Sequence, residues 1–316
     1  MNPDLWHALC LPLLRLLLGL SIALFIAQAL EALHWSRHLT KLCKPLSDAA
    51  HFGLPAQGAF ALAFISPIAA NALLSEHYSQ GTLTKKELIL SNLFNSFPAY
   101  LVHTPTLFFL SWPILGWKAL IYVGLSLLAA ILRTFLTLLL SRFLLKKNEN
   151  GDSFAEKASS KPVSLRSALH TAWKKFLRRI PRLLLWTIPI YILMYSLQVH
   201  GIFSQLNTWL GHQSFWNSLF SPQAASIIVL HFLAELGSAL GACGSLLATG
   251  ALDHNEVILA LLIGNIVSTP VRALRHQLPS YAGLFTPKTG LQLICLNQTL
   301  RAFSMTLVTI AFAISL

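Results

Sequence analysis

The sequence predicts an all-α, polytopic membrane protein made of two inverted-topology repeats, each holding about three transmembrane helices, one of them broken, plus a re-entrant hairpin. Three observations carry that prediction. The 316 residues are 55% hydrophobic and only 11% charged, with a mean hydropathy of +0.62, too apolar for a soluble fold that must cover itself with polar surface. Features of the first half recur in the same order in the second. Finally, the charge bias around equivalent loops is opposite in the two halves, as inversion across a membrane requires.

The elements follow in chain order. Apolar runs over 9–33, 116–140, 183–199 and 291–316 approach or exceed the roughly 20 residues needed to cross ~30 Å of hydrocarbon. The first run is longer than a signal-peptide core, is preceded by Asp4 rather than a basic region, and lacks a small-x-small cleavage site; it reads as a retained helix. An amphipathic stretch, HWSRHLTKLCKPLSDAAHF, comes next, then a small-residue segment from 57 to 75 interrupted at Ser66-Pro67. After the span at 116–140, KKNENGDSFAEKASSKP is polar, Ser-rich and aperiodic, a linker, and SLRSALHTAWKKFLRRIPR is a basic amphipathic helix expected at a lipid surface. The formal charge of +12 is therefore local: 11 of the 23 Lys and Arg residues lie between 142 and 182. That distribution points to the cytoplasmic face of a membrane and away from nucleic acid. It divides the chain into a first repeat (1–145), a basic cytoplasmic linker (146–182) and a second repeat (183–316).

The repeat is clearest in two phrases, GTLTKKELILSNLFNSFP at 81–98 and GALDHNEVILALLIGNIVSTP at 250–270. Each opens with Gly-x-Leu and a capping box, Thr84-x-x-Glu87 or Asp253-x-x-Glu256, in which the cap side chain accepts from an orphan backbone N–H and the glutamate reaches back. Each then runs to a polar break before a proline, Asn92, Asn95, Ser96 and Pro98 in one, Asn265, Ser268, Thr269 and Pro270 in the other. Proline removes a donor and clashes with the preceding turn, so the helix must kink or stop there. Downstream, Leu101-x-His103-x-Pro105 matches Leu274-x-His276-x-x-Pro279, and Leu132-Arg133-x-Phe135 matches Leu300-Arg301-x-Phe303. Upstream, the counterpart of the 57–75 hairpin is 224–249, with an interruption expected around 237–244. The stretch at 36–55 carries Arg37, Lys41 and Lys44, whereas 201–222 carries no Lys or Arg; likewise Lys85 and Lys86 flank the first capping box and none flanks the second. The first stretch is then cytoplasmic, the second external, and both termini external in a multi-pass plasma (inner) membrane protein. Lys118 runs against this scheme, which puts it outside.

The segments KPLSDAAHFGLPAQGAFALAF, ALLSEHYSQGTLTKKE and SNLFNSFP resemble the nucleoside-recognition "gate" domain, found in the membrane part of the ferrous-iron transporter B and in spore maturation proteins A and B; its repeat is similar to that of concentrative nucleoside transporters. The likeness covers about 42–140 and, more weakly, 222–316. It implies that hairpin tips and helix breaks contact a solute, here Ser66, Pro67, Asn71, Asn92, Asn95, Ser96, Glu235, Asn265, Ser268 and Thr269.

Two further residues stand out without the resemblance. Arg133 and Arg301 lie near the centres of their spans, where an arginine costs roughly 2.5–3.5 kcal/mol each. Such a pair either neutralises an anionic solute or bonds to carbonyls freed at a neighbouring break. Glu235 is the one carboxylate deep in an apolar segment, with His231 four residues before it; it suits a coupling proton, a cation or an ion pair with either arginine. His103 and His276 fit helix-end roles. The four cysteines have no metal-type spacing and read as small buried residues. No phosphate loop, zinc motif or nucleophile elbow is present, so neither enzyme activity, cofactor nor bound metal is expected. Inverted repeats with broken helices at matching positions are the signature of secondary transporters, whose sites form near the midplane. The expectation is a transporter or facilitator for a small polar solute, nucleoside-like or anionic. A divalent metal-ion permease and a non-transporting scaffold in envelope assembly are the alternatives. The expected partners are the bilayer and the solute, and a bundle this small gains buried area by forming a homo-oligomer.

Overall fold

A computed structural model describes residues 6–33, 45–145, 164–201 and 221–316. The linker at 146–162, Cys43, and the parts of the amphipathic stretches at 36–44 and 202–220 fall outside these residues. The described residues form helices joined by short turns, with no strand among them.

Helix α1 (Leu11–Ala32) follows a wide turn at Trp6–Cys10. Its Leu16, Leu20 and Leu24 recur every four residues and are all buried, which places them on one face. A small-residue hairpin follows, α2 (Leu54–Ala63) and α3 (Pro67–Ser79). Ser66 is extended (φ −151°, ψ 107°) and its side chain accepts from the Ala69 N–H, with Pro67 opening α3. Extended backbone, a cap and a proline in the first turn together end one helix and start the next, so the interruption expected at Ser66-Pro67 is present.

Both capping boxes form. In α4 (Lys85–Phe94) the Thr84 Oγ accepts from the Glu87 N–H at 3.3 Å, and the Glu87 carboxylate accepts from the Thr84 N–H at 2.9 Å. In α9 (His254–Val267) the Asp253 carboxylate accepts from the N–H groups of Asn255 (2.6 Å) and Glu256 (2.8 Å), and Glu256 accepts from the Asp253 N–H at 2.8 Å. The glycine before each box has a left-handed φ, +72° at Gly81 and +67° at Gly250. Each terminates the preceding helix, a position that favours glycine.

The chain then breaks where the prolines require it, but more narrowly than the sequence suggests. α4 pauses at Asn95 (φ −63°, ψ −11°) and resumes as α5 (Ser96–Leu115). α9 pauses at Ser268 (φ −74°, ψ −8°), continues through α10 (Thr269–Arg272) and a wide turn at Ala273–Gln277, and ends in α11 (Leu278–Leu284). Pro98 and Pro270 lie just past these pauses. A lost N–H leaves one turn without its bond while φ and ψ stay near the helical well, so the polypeptide kinks without unwinding.

Two expectations are corrected. The interruption expected at 237–244 is absent: α8 (Pro222–Ala248) is one helix of 27 residues. That stretch holds glycines and no proline, and glycine lowers helix propensity without removing a donor. A Cβ on Gly241 would lie 3.3 Å from Thr187, and one on Gly244 3.1 Å from Leu16, so these glycines serve close packing. The basic amphipathic stretch is not a separate surface helix either. It is the first part of α7 (Leu165–Val199), 35 residues with Pro181 and Pro189 inside it. Its Ala168 and Ala172 pack on Ala32, and Trp173 and Phe176 meet Phe25 edge-on.

The remaining helices are α6 (Ala119–Leu144), reached through a turn at Gly116 (φ +55°), and α12 (Pro287–Ile314). Two helical runs, Lys85–Leu144 and Pro287–Ile314, are long and apolar enough to cross a membrane. α6 is apolar outside and polar inside: Leu128, Ile131 and Phe135 are exposed, whereas Ser126, Arg133, Thr134, Thr137 and Ser141 are buried. Such a helix suits an apolar solvent around a polar interior.

Candidate solute cavity

The polar interior lines a half-open cavity of about 540 Å³. Seven of the eleven predicted site residues line it: Asn71, Asn92, Asn95, Ser96, Arg133, Asn265 and Arg301. They come from α3, α4, the first break, α5, α6, α9 and α12. Ser66 stays one residue outside as the cap of α3, while its neighbours Pro67 and Ile68 are in the wall. Ser268 and Thr269 are buried behind the wall at the second break. Glu235 sits on α8, but its side chain falls outside the described residues, as does that of His276.

One side of the cavity is cationic. Arg133, 6% exposed, donates from Nη2 to the Ser96 carbonyl at 3.4 Å, a long bond. Arg301 donates from Nη2 to Asn265 Oδ1 at 3.0 Å. The same Oδ1 accepts from Arg272 Nη2 at 2.9 Å, and Arg272 also reaches the Asn265 carbonyl at 2.9 Å. That carbonyl further accepts from the hydroxyls of Ser268 (3.2 Å) and Thr269 (3.0 Å). His103 and His231 also line the cavity, and none of the described lining side chains is a carboxylate.

The rest of the described polar lining includes amides and a phenol. The Asn92 amide, 2% exposed, donates to Asn71 Oδ1 and to the Tyr281 hydroxyl, both at 2.9 Å. Gln298 Nε2 donates to Gln277 Oε1 at 2.7 Å, and Asn297 reaches the Asn92 carbonyl at 3.5 Å. Several buried polar atoms here have no protein partner: Asn92 Oδ1, Asn95 Nδ2, Gln298 Oε1 and Arg133 Nε. Buried polar atoms are normally paired, so a cluster of unpaired ones around one cavity marks a place where partners come from elsewhere.

Sequence reasoning missed Arg272, Gln277, Tyr281, Asn297 and Gln298. Arg272 had a local signal, standing two residues after Pro270 where backbone groups are freed. Gln277 and Gln298 are amides in apolar surroundings, costly unless they meet each other. Nothing near Tyr281 marked it.

Three uncharacterized proteins of Methanocaldococcus jannaschii are similar to this chain. One is 28% identical over 284 residues, covering 89% of this chain and 88% of its own length. A second is 27% identical over 242 residues (75% and 73%), and a third 26% identical over 305 residues (91% and 93%). No protein-family model matches the chain, and no solved structure matches it.

Proposed function

We propose that the chain is an integral membrane transporter or facilitator for a small polar solute, held in the cavity between two broken helices of an inverted repeat. The observation that carries this reading is the composition of the cavity wall. Arg133 with Asn95 and Ser96, and Arg301 with Asn265, come from equivalent positions in the two copies and line one space. Secondary transporters build their sites in this way, at the interface between repeats where helices are discontinuous. The Lys118 Nζ donates to Asn255 Oδ1 at 3.0 Å, which supports inversion: the second capping box lies beside the far end of the α4–α5 rod that begins at the first. It also gives Lys118, the residue at odds with the charge pattern, a polar partner. Loss of the second hairpin leaves the repeat inexact, with a bent pair α2–α3 in one copy and the single α8 in the other.

A divalent-cation permease fits less well, because the wall is cationic and no cluster of His, Cys, Asp and Glu that could hold a metal occurs among the described residues. Purified protein in proteoliposomes is expected to give saturable uptake of a polar solute, and a membrane scaffold would give none. Cysteines placed singly at Ser79 and Thr249, both exposed, should react with an impermeant reagent from opposite sides. Reaction from the same side rules out inversion.

A further inference from the structure

Resting on the reading of this cavity as a solute site, we infer that its occupant is an organic oxyanion, a phosphoryl or carboxylate head on an uncharged, hydrogen-bonding body. The head is assigned by Arg133 and Arg301. A guanidinium has five donors in a fixed fork that matches a carboxylate or phosphoryl group. Arg301 commits Nη2 to a neutral amide oxygen, and Arg133 makes one long bond to a carbonyl and keeps its buried Nε unpartnered. Neither meets a carboxylate among the described residues, so the neutralising charge arrives with the occupant.

The body is assigned by the uncharged part of the lining. Asn92 Oδ1 and Gln298 Oε1 are acceptors and Asn95 Nδ2 is a donor, on side chains 2%, 8% and 6% exposed, and none has a protein partner. Acceptors and donors set together select a group that presents both, not a second charge. Size agrees: about 540 Å³ lies within the range of roughly 300–1,000 Å³ typical of organic ligand sites, and a bare inorganic anion would leave most of it unfilled.

The test uses full-length protein in nanodiscs and probes in matched pairs with and without the charged head: uridine 5′-monophosphate and uridine, glycerol 3-phosphate and glycerol, succinate and succinamide, with inorganic phosphate alone as the bare head. Binding is read by thermal shift and equilibrium dialysis. At least one charged probe should bind about tenfold or more tightly than its neutral partner and than inorganic phosphate, since charge-assisted bonds are roughly twice as strong as neutral ones. Arg133→Gln and Arg301→Gln should each remove that advantage, and Arg301→Lys should restore part of it. Equal binding of a neutral partner, preference for inorganic phosphate, or no binding by any probe overturns the assignment. The matched pairs decide the question on the wild-type protein even where a variant does not fold. Uptake measured alongside separates the two readings. Anion binding without flux sinks transport and leaves the site chemistry, whereas flux of a neutral probe unchanged by Arg301→Gln does the reverse.

Discussion

The two helix breaks begin from the same sequence device and end in different states. Counted from each cap, Asn95 and Gly264 hold the same position (84 to 95, 253 to 264), and Ser96 and Asn265 the next. At the second break, Asn265 is knitted in on every side: its carbonyl accepts from Ser268, Thr269 and Arg272, and its side chain from Arg272 and Arg301. At the first, the Ser96 carbonyl receives one long bond from Arg133, and the Asn95 amide nitrogen has no partner. Two breaks of similar origin thus divide the work. One is stabilised by its own side chains and fixes the geometry; the other keeps donors uncommitted and facing the cavity. The sequence left open whether the membrane arginines cap freed carbonyls or bind solute. The arginine that bonds the freed Asn265 carbonyl at the second break is Arg272, and Arg133 makes one long carbonyl bond and keeps a buried Nε without a protein partner.

Six substitutions break or sharpen the comparison. Asn265→Ala removes the shared acceptor of two guanidiniums and should cost roughly 3 kcal/mol, because bonds to charged groups are each worth about 1.5–3 kcal/mol; unfolding of purified protein in denaturant measures it. Gly264→Ala should cost about 1–3 kcal/mol by overpacking, since its Cβ would sit 2.8 Å from His231 Cβ. Gly237→Ala, which meets nothing within 4 Å, should be neutral or slightly stabilising in the same assay. Removing the caps sharpens the contrast: Asp253→Ala, losing two backbone bonds, should lower stability by about 1–2 kcal/mol, and Thr84→Ala, losing one, by about 0.5–1 kcal/mol. Asn95→Ala should change stability by less than about 1 kcal/mol while weakening solute uptake. If it destabilises as much as Asn265→Ala, the division between a structural and an open break is wrong.

Much of the plan was legible where a residue type leaves the backbone no choice. Thr84, Glu87, Asp253 and Glu256 announce their capping boxes, and Ser66-Pro67, Pro98 and Pro270 their interruptions; Gly81 and Gly250 stood out as a repeated Gly-x-Leu, and the structure adds their left-handed φ. The break expected in α8 failed because glycine permits a bend without requiring one. The continuity of α7 across Pro181 was hidden for the opposite reason: proline in a helix interior reads as a stop, yet the helix runs from Leu165 to Val199 through both Pro181 and Pro189. The amide wall was half hidden. Asn71 and Asn92 sit in or near motifs, but Tyr281 joins them from residues nearly two hundred positions away, and no local pattern encodes that meeting.

The α2–α3 hairpin has one more consequence. Its Ala59, Ala63, Ala70 and Leu74 share a core with Ala273, Tyr281, Phe285, Leu293 and Ile294. Ser75 donates to the Leu284 carbonyl, and Asn71 is tied through Asn92 to Tyr281. Mechanically, the hairpin is riveted to the late part of the chain. Any relative motion within this bundle would therefore have to carry the hairpin along with the closing helices, not with the early helices that precede and follow it in the chain.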